Sequence, residues 1–314
     1  MLLYICGDIM RNFVISDIHG NGNLYYSVMS YLENVSKMDE VTLFINGDLI
    51  DRGLDSGEIL LDVIERIKNP DNPFNIVYLG GNHEVLMYQF YSDVAKGKYS
   101  YFNDWYDFGG YLTDDYLIET LDDKEEIFKV SEFVSNLKIY HKFAEKIDGK
   151  NIVLCHAACP LTVKDDCHLK VNSQSISIEY LLNARRDDPF IPFRCRIGHI
   201  SFFTIVGHTP NRSKLGYEYH EDENYLNIDG GCACYAYGKF KYDHYPLVEI
   251  NDGYLRILTF NNNNEITDGN YFINYESVPF SEEELELERS FLSKSFKPKK
   301  LIKNCDGLVT YEED

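Results

Sequence analysis

Basic residues are scarce in this 314-residue chain: Lys and Arg number 30 against 51 Asp and Glu, a formal net charge of -21. That deficit excludes broad attraction to nucleic acid or to an anionic membrane, so an anionic ligand has to be attracted locally. No CxxC pair occurs, and the 8 cysteines are irregularly spaced, which argues against a disulfide framework and for reduced, mostly buried thiols. Long hydrophobic runs are missing as well. The opening MLLYICGDIMRN has a short apolar run broken by Asp8, too short for a signal-peptide core, and no later run reaches the length of a membrane span. The expected location is cytoplasmic. Internal repeats and low-complexity blocks are also absent.

What is present is enough for a sizeable core, with 44% hydrophobic residues. β-branched and aromatic runs bounded by turn residues predict strands at NFVIS (12–16), EVTLFIN (40–46), FNIVYL (74–79), NIVLC (151–155), FFTIVG (202–207), NYLNID (224–229), YPLVEI (245–250) and YLRILTF (254–260). Helical patterns at 23–36 and 56–68 alternate with the early strands, which predicts α/β layering. Residues 85–145 interrupt this rhythm with aromatic, acidic sequence in which Ile127, Val130, Val134 and Leu137 share one helical face, and we expect a helical cap-like insertion there. The main domain is expected to span 1–278 and a C-terminal helix with a charged tail 279–314. Ser281 and Glu284 form a capping box, with Phe280 and Leu285 at staple positions. Beyond it, KSFKPKKLIKN reads as a solvated or loosely docked segment.

The chemistry lies in polar residues just after apolar strands. SDIHGN sets Asp17 and His19 two residues apart, a spacing that in extended backbone puts a carboxylate and an imidazole on one side. FINGDLIDRG places Asp48, Asp51 and Arg52 beyond a strand, where a buried charge needs a partner or a metal ion. LGGNHEVL adds Asn82, His83 and Glu84, VLCHAAC adds His156, and IVGHTPN adds His208. A single such residue is ordinary, but repetition at one strand end after another matches the position where open α/β sheets build sites. The mixed oxygen and nitrogen donors Asp17, His19, Asp48, Asn82, His156 and His208 suit manganese, iron or zinc better than calcium or magnesium, and Asp48 can bridge two ions.

In this order, Asp17-x-His19, Gly47-Asp48-x-x-Asp51-Arg52-Gly53, Gly81-Asn82-His83-Glu84, His156 in CHAA and Gly207-His208-Thr209 resemble the metal-dependent phosphoprotein phosphatases, calcineurin-like metallophosphoesterases, and most of all their bacterial and phage serine/threonine branch. The resemblance covers residues 12 to about 260 and extends to DWYDFGGYLT (104–113) and NIDGGC (227–232). It implies two facing mixed β-sheets, a β-sandwich flanked by helices. It further implies that Asp17, His19 and Asp48 hold one divalent or mixed-valence ion and Asp48, Asn82, His156 and His208 the other, with manganese the first expectation and iron or zinc the alternatives. Hydrolysis would proceed by direct attack of a metal-bridging hydroxide, without a phosphoenzyme. His83 would protonate the leaving oxygen, Asp51 would orient His83, and Arg52 would grip phosphate with its planar fork.

A second phosphate-binding arginine is expected in LLNARRDDPF, where Asn183 departs from the branch's aromatic residue; register favours Arg185 over Arg186. His156-Ala157-Ala158 replaces the family's His-Ala-Gly. Glu84 reads as an outer hydrogen-bond partner, His199 as the decoy for His208, and Cys232 with Cys234 as an unpartnered pair. The expected substrate is a phosphoprotein or phosphopeptide bearing phosphoserine or phosphothreonine. The alternatives are a symmetrical diadenosine tetraphosphate or another nucleotide phosphoester, and a catalytically inactive binding module. The acidic runs LDDKEE and HEDEN are ordinary solvated faces, but the overall charge predicts that basic phosphopeptides are turned over faster than acidic ones. Equal or reversed rates in a matched peptide pair would contradict this.

Overall fold

Alternation between two apolar faces organises the first strands. In β1 (Met10–Ile15) and β2 (Glu40–Asn46), Phe13, Ile15, Leu43 and Ile45 join one buried cluster with the helices, while Val14 and Phe44 join a second cluster on the opposite face. Successive side chains of a strand point to opposite faces, so each strand contributes to both layers. The computed structural model describes residues 10–98, 104–159, 178–185, 202–211, 213, 215–220, 224–233, 244–251, 253–261, 265–269, 301–303 and 309–311. It divides the chain into two compact units, Met1–Tyr275 and Glu276–Asp314.

In the first unit, β1 and β2 are joined by α1 (Gly22–Val35), and β2 is followed by α2 (Ser56–Lys68) and β3 (Asn75–Leu79). The Asn21 side chain caps α1 by accepting from the Leu24 N–H. Buried Leu24, Val28 and Leu32 of α1 and Ile59, Leu60 and Val63 of α2 recur at helical spacing and pack into the first cluster. Four helices then follow one another: α3 (Asn82–Ala95), α4 (Asp104–Asp107), α5 (Tyr111–Thr120) and α6 (Lys124–Ser135). The segment expected to be helical over 85–145 is helical only to Ser135. From Tyr140 it becomes β4 (Tyr140–Ile147), in which Phe143 and Ile147 are buried between charged residues. Trp105, Leu117, Ile127, Val130 and Val134 of this region belong to the same buried cluster as α1 and α2.

The remaining elements are β5 (Lys150–Cys155), α7 (Ile178–Asn183), β6 (Phe203–Val206), β7 (Glu218–His220), β8 (Tyr225–Asn227), β9 (Tyr245–Asn251), β10 (Tyr254–Phe260) and β11 (Ile266–Gly269). They complete two mixed β-sheets, one of six strands in the order β11-β10-β9-β1-β2-β3 and one of five in the order β4-β5-β6-β8-β7. The second apolar cluster draws on both sheets, with Val14, Phe44, Leu79, Val248 and Ile257 from one and Ile152, Leu154, Phe203, Ile205 and Leu226 from the other. Interleaved side chains of this kind bind the sheets face to face.

Within each sheet the strands that matter to the site are parallel: β1 with β2 and β2 with β3, then β5 with β6 and β6 with β8. Their C-terminal ends are tied across the sheets. The Asn46 side-chain amide donates to the Cys155 carbonyl at 3.0 Å, and the Gly80 N–H donates to the Lys138 carbonyl at 2.8 Å. Among the described residues, Cys155, Cys159 and Cys232 are buried cysteines, and no helix is long and apolar enough to cross a membrane. In the second unit, β12 (Leu301–Lys303) pairs antiparallel with β13 (Val309–Tyr311). The helix expected from Ser281 lies outside the described residues.

Candidate active site

The loops after β1, β2, β3, β5 and β6 begin where side chains turn from apolar to polar, and they bring the predicted residues together. Several of these residues take the left-handed backbone region that non-glycine residues rarely adopt: Asp17 (φ 54°), His19 (45°), Asp48 (50°), Asp51 (72°), Arg52 (72°) and His208 (67°). Each such position costs about 1–3 kcal/mol and persists only where surrounding contacts over-determine it. Here the Asp17 N–H donates to the Gly47 carbonyl, the His19 N–H to the Asp48 carbonyl and the Gly20 N–H to the Leu49 carbonyl, at 3.2, 3.0 and 3.0 Å. The first loop is thereby laced to the second.

Glu84 fixes the second loop to the third. Its fully buried carboxylate accepts the N–H groups of Gly81 (2.6 Å), Asp48 (2.9 Å) and Leu49 (3.0 Å) and the Tyr78 hydroxyl (2.7 Å). Burial, and then neighbouring Asp48, raise its pKa, although the hydroxyl and amide donors pull it down. Four donors and no acceptor surround the carboxylate.

Two donor clusters meet at Asp48. Ligand-capable atoms of His19, Asp48 and His83 lie within 4.8 Å of one another, and so do those of Asp48, His156 and His208. His19 Nδ1 faces the Ile50 carbonyl at 3.0 Å, which leaves Nε2 toward Asp48 Oδ2 at 3.5 Å. His156 Nδ1 faces the Asn46 carbonyl at 2.9 Å, which leaves Nε2 3.3 Å from Asp48 Oδ1. Asn82 Oδ1 stands 3.0 Å from His156 Nε2 and 2.9 Å from His208 Nδ1. Asp17 is buried beside both clusters, and its carboxylate accepts the His208 N–H (3.0 Å) and the Ser16 hydroxyl.

This donor set fits divalent ions. A ring nitrogen held by a backbone carbonyl fixes the tautomer and presents the other nitrogen as a ligand. The space around the donors is reserved by glycine: a Cβ on Gly47, Gly81 or Gly207 would stand 2.7 Å from His156 Nδ1, 2.3 Å from Asp48 Oδ1 or 2.0 Å from Asp17 Oδ2.

The electrostatics follow from burying so many ionisable groups together. Burial opposes charge on His156, yet Asp48 and Asp17 push its pKa up to about 10. Burial, and then the charge on His156, push His208 down to about 3. Asp48, despite its burial, is held well below the carboxylate range by His156, His83 and His19. Burial and adjacent Asp229 push Asp17 well up, and burial likewise raises Asp229 to about 7.

Beside the clusters, His83 Nδ1 lies 2.7 Å from Asp51 Oδ2, and both residues are fully buried. Arg52 directs Nη2 to His83 Nε2 at 2.8 Å and Nη1 to His19 Nε2 at 3.3 Å. A guanidinium only donates, so His83 Nε2 accepts in this state and Nδ1 carries the proton shared with Asp51. Burial and the Arg52 charge oppose protonation of His83, but Asp48 and Asp51 outweigh them and raise its pKa. Arg185, exposed just beyond α7, lies near enough for its charge to lower the His208 pKa. Arg186 and His199 lie outside the described residues.

Three further residues lie in segments to which the resemblance extends, DWYDFGGYLT and NIDGGC, but the sequence assigns them no role. Trp105 and Thr113 both hydrogen-bond Asp51, and Asp229 is buried close to Asp17. Asp229 carried a signal, since it follows strand β8 as the other site residues follow theirs.

Two mixed sheets with a histidine and aspartate site at their parallel strand ends define a metallophosphoesterase architecture. The family model for calcineurin-like phosphoesterase matches residues 10–230, and the chain belongs to that family, which uses a dinuclear metal centre. No curated protein sequence matches the chain significantly. Among solved structures, a mutant cold-active protein tyrosine phosphatase is similar at 15% identity, covering 85% of this chain and 85% of its own, with a TM-score of 0.50. A protein serine/threonine phosphatase from Saccharomyces cerevisiae is similar at 14% identity, covering 85% and 84%, with a TM-score of 0.50. At these identities the likeness establishes the fold.

Replacing Glu84 with Gln puts an amide among groups that all donate. We expect Glu84→Gln to lower the unfolding free energy by on the order of 3 kcal/mol, measured by denaturant titration. An unchanged midpoint would contradict the anchoring role of the carboxylate.

Proposed function

We propose that the chain is a dinuclear-metal phosphomonoesterase acting on phosphoserine and phosphothreonine of proteins. One arrangement carries this reading: a fully buried Asp51–His83 pair whose second ring nitrogen stands 3.9 Å from Asp48 Oδ2 and accepts from Arg52 at 2.8 Å. Asp17, His19 and Asp48 would hold one ion and Asp48, Asn82, His156 and His208 the other. When bound, such ions supply Lewis acidity that offsets charge on phosphoryl oxygens and acidifies water.

The protein's own groups divide the remaining work. Arg52 exchanges the ring nitrogens of His19 and His83 for phosphate oxygens, to which its fork is matched. His83 Nε2, released from Arg52, can then carry a proton to the leaving oxygen while Nδ1–H stays on Asp51. Arg185 adds positive charge on the His208 side. An alkoxide is a poor leaving group and gains most from a positioned acid, which supports serine and threonine phosphoesters as substrates.

The test is a panel of phosphoserine, phosphothreonine and phosphotyrosine peptides, dinucleoside tetraphosphates and nucleotides with manganese-loaded protein. Alkyl phosphopeptides should rank first; a dinucleoside tetraphosphate in that place would overturn the substrate assignment. His83→Ala should lower kcat on them by about 10²–10⁴-fold with metal content unchanged. Loss of an ion from the variant would instead make His83 a ligand.

A further inference from the structure

The Asp51 carboxylate is held by donors on both oxygens, and two of its three donors come from the α4–α5 region. Its Oδ2 accepts from His83 Nδ1 and also from Trp105 Nε1 at 2.8 Å. Its Oδ1 accepts the Thr113 hydroxyl at 2.7 Å, and the same Thr113 oxygen accepts the Asp51 backbone N–H at 3.2 Å. All four residues are fully buried. Asp51 holds a left-handed backbone at φ 72°, which the reciprocal pair with Thr113 stabilises from both its main chain and its side chain.

The two donors are themselves held. A Cβ on Gly110 would stand 2.4 Å from Trp105 Nε1, so this glycine lets the indole sit against the start of α5. The next residue after Thr113, buried Asp114, accepts the hydroxyls of Tyr91 from α3 and of Tyr106 from α4. The Arg52 N–H also reaches the Gly109 carbonyl at 3.4 Å. The first turn of α5 is thus moored to the helix that carries His83.

We infer that Trp105 and Thr113 are positioning residues for proton delivery by His83, acting through Asp51. The inference rests on the phosphomonoesterase reading and deepens it. With two donors on Oδ2 and one on Oδ1, the Asp51 carboxylate has one orientation and one place for the imidazole N–H. His83 then presents Nε2, and the proton it carries, to the leaving oxygen as the P–O bond breaks. Without the indole N–H or the hydroxyl, Asp51 can rotate, and His83 loses the fixed direction that an alkoxide leaving group requires.

The dependence on leaving group separates positioning from stability. Thr113→Val, Thr113→Ser and Trp105→Phe are compared with the unsubstituted full-length chain, all manganese-loaded, on a phosphoserine peptide and on p-nitrophenyl phosphate, whose leaving group needs little protonation. We expect Thr113→Val and Trp105→Phe to lower kcat on the peptide by about 10-fold or more, and on the aryl ester by no more than about 3-fold. Thr113→Ser should restore the peptide rate, with metal content equal throughout. Equal losses on both esters, or no rescue by serine, would overturn the inference while leaving the phosphomonoesterase reading intact. Failure of the unsubstituted chain on both esters would overturn that reading and this inference with it. Trp105→Phe keeps a ring in the core, so it decides the matter if Thr113→Val does not fold.

Discussion

The carboxylate of Asp48 stands between His19, which belongs to the loop after β1, and His156, which follows β5 in the other sheet, 3.5 and 3.3 Å from their ring nitrogens. That shared position constrains much of the molecule. The two sheets must meet with their parallel strand ends together, which the apolar layer from Val14 to Ile257 enforces. The turn carrying Asp48 must keep a strained backbone, which Glu84 holds by gripping the amides of Asp48 and Leu49. Asn46, just before that turn, bonds the β5 end through its side chain and His156 through its carbonyl.

Such a site is costly to assemble without a balancing charge. Asp17, Asp48, Asp229 and Glu84 are all buried, and burying a carboxylate without compensation is strongly unfavourable. The imidazoles answer part of this, with His156 holding a proton well above its ordinary range. Cations at the clusters would answer the rest, a physical reason for acidic and imidazole groups to occur together here. Local attraction of this kind also reconciles an anionic substrate with a chain of net charge -21.

Much of this was legible in the sequence because Asp17, Asp48, Asn82, His156 and His208 each lie just beyond an apolar strand. EVTLFIN and YLRILTF are strands over the predicted residues, and the helical pattern at 56–68 is α2. Elements whose apolar face is sparse were less visible. β4 buries Phe143 and Ile147 but surrounds them with Lys142, Glu145 and Lys146, so its pairing with β5 could not be read from pattern alone. The same holds for contacts distant in sequence. Trp105 and Thr113 lie 54 and 62 positions from Asp51, and nothing local to either residue announces that bond. His83, expected as the acid, stands within 4.8 Å of His19 and Asp48, and Asp17 accepts the His208 amide; neither juxtaposition is announced by a local pattern.

The central claim is that one carboxylate serves both metal positions. Metal stoichiometry measured by equilibrium dialysis with elemental analysis tests it most directly, on the unsubstituted chain, Asp48→Asn and Asn82→Ala. The account predicts two ions per chain, loss of both on Asp48→Asn, and loss of one on Asn82→Ala. Full occupancy retained by Asp48→Asn would contradict it.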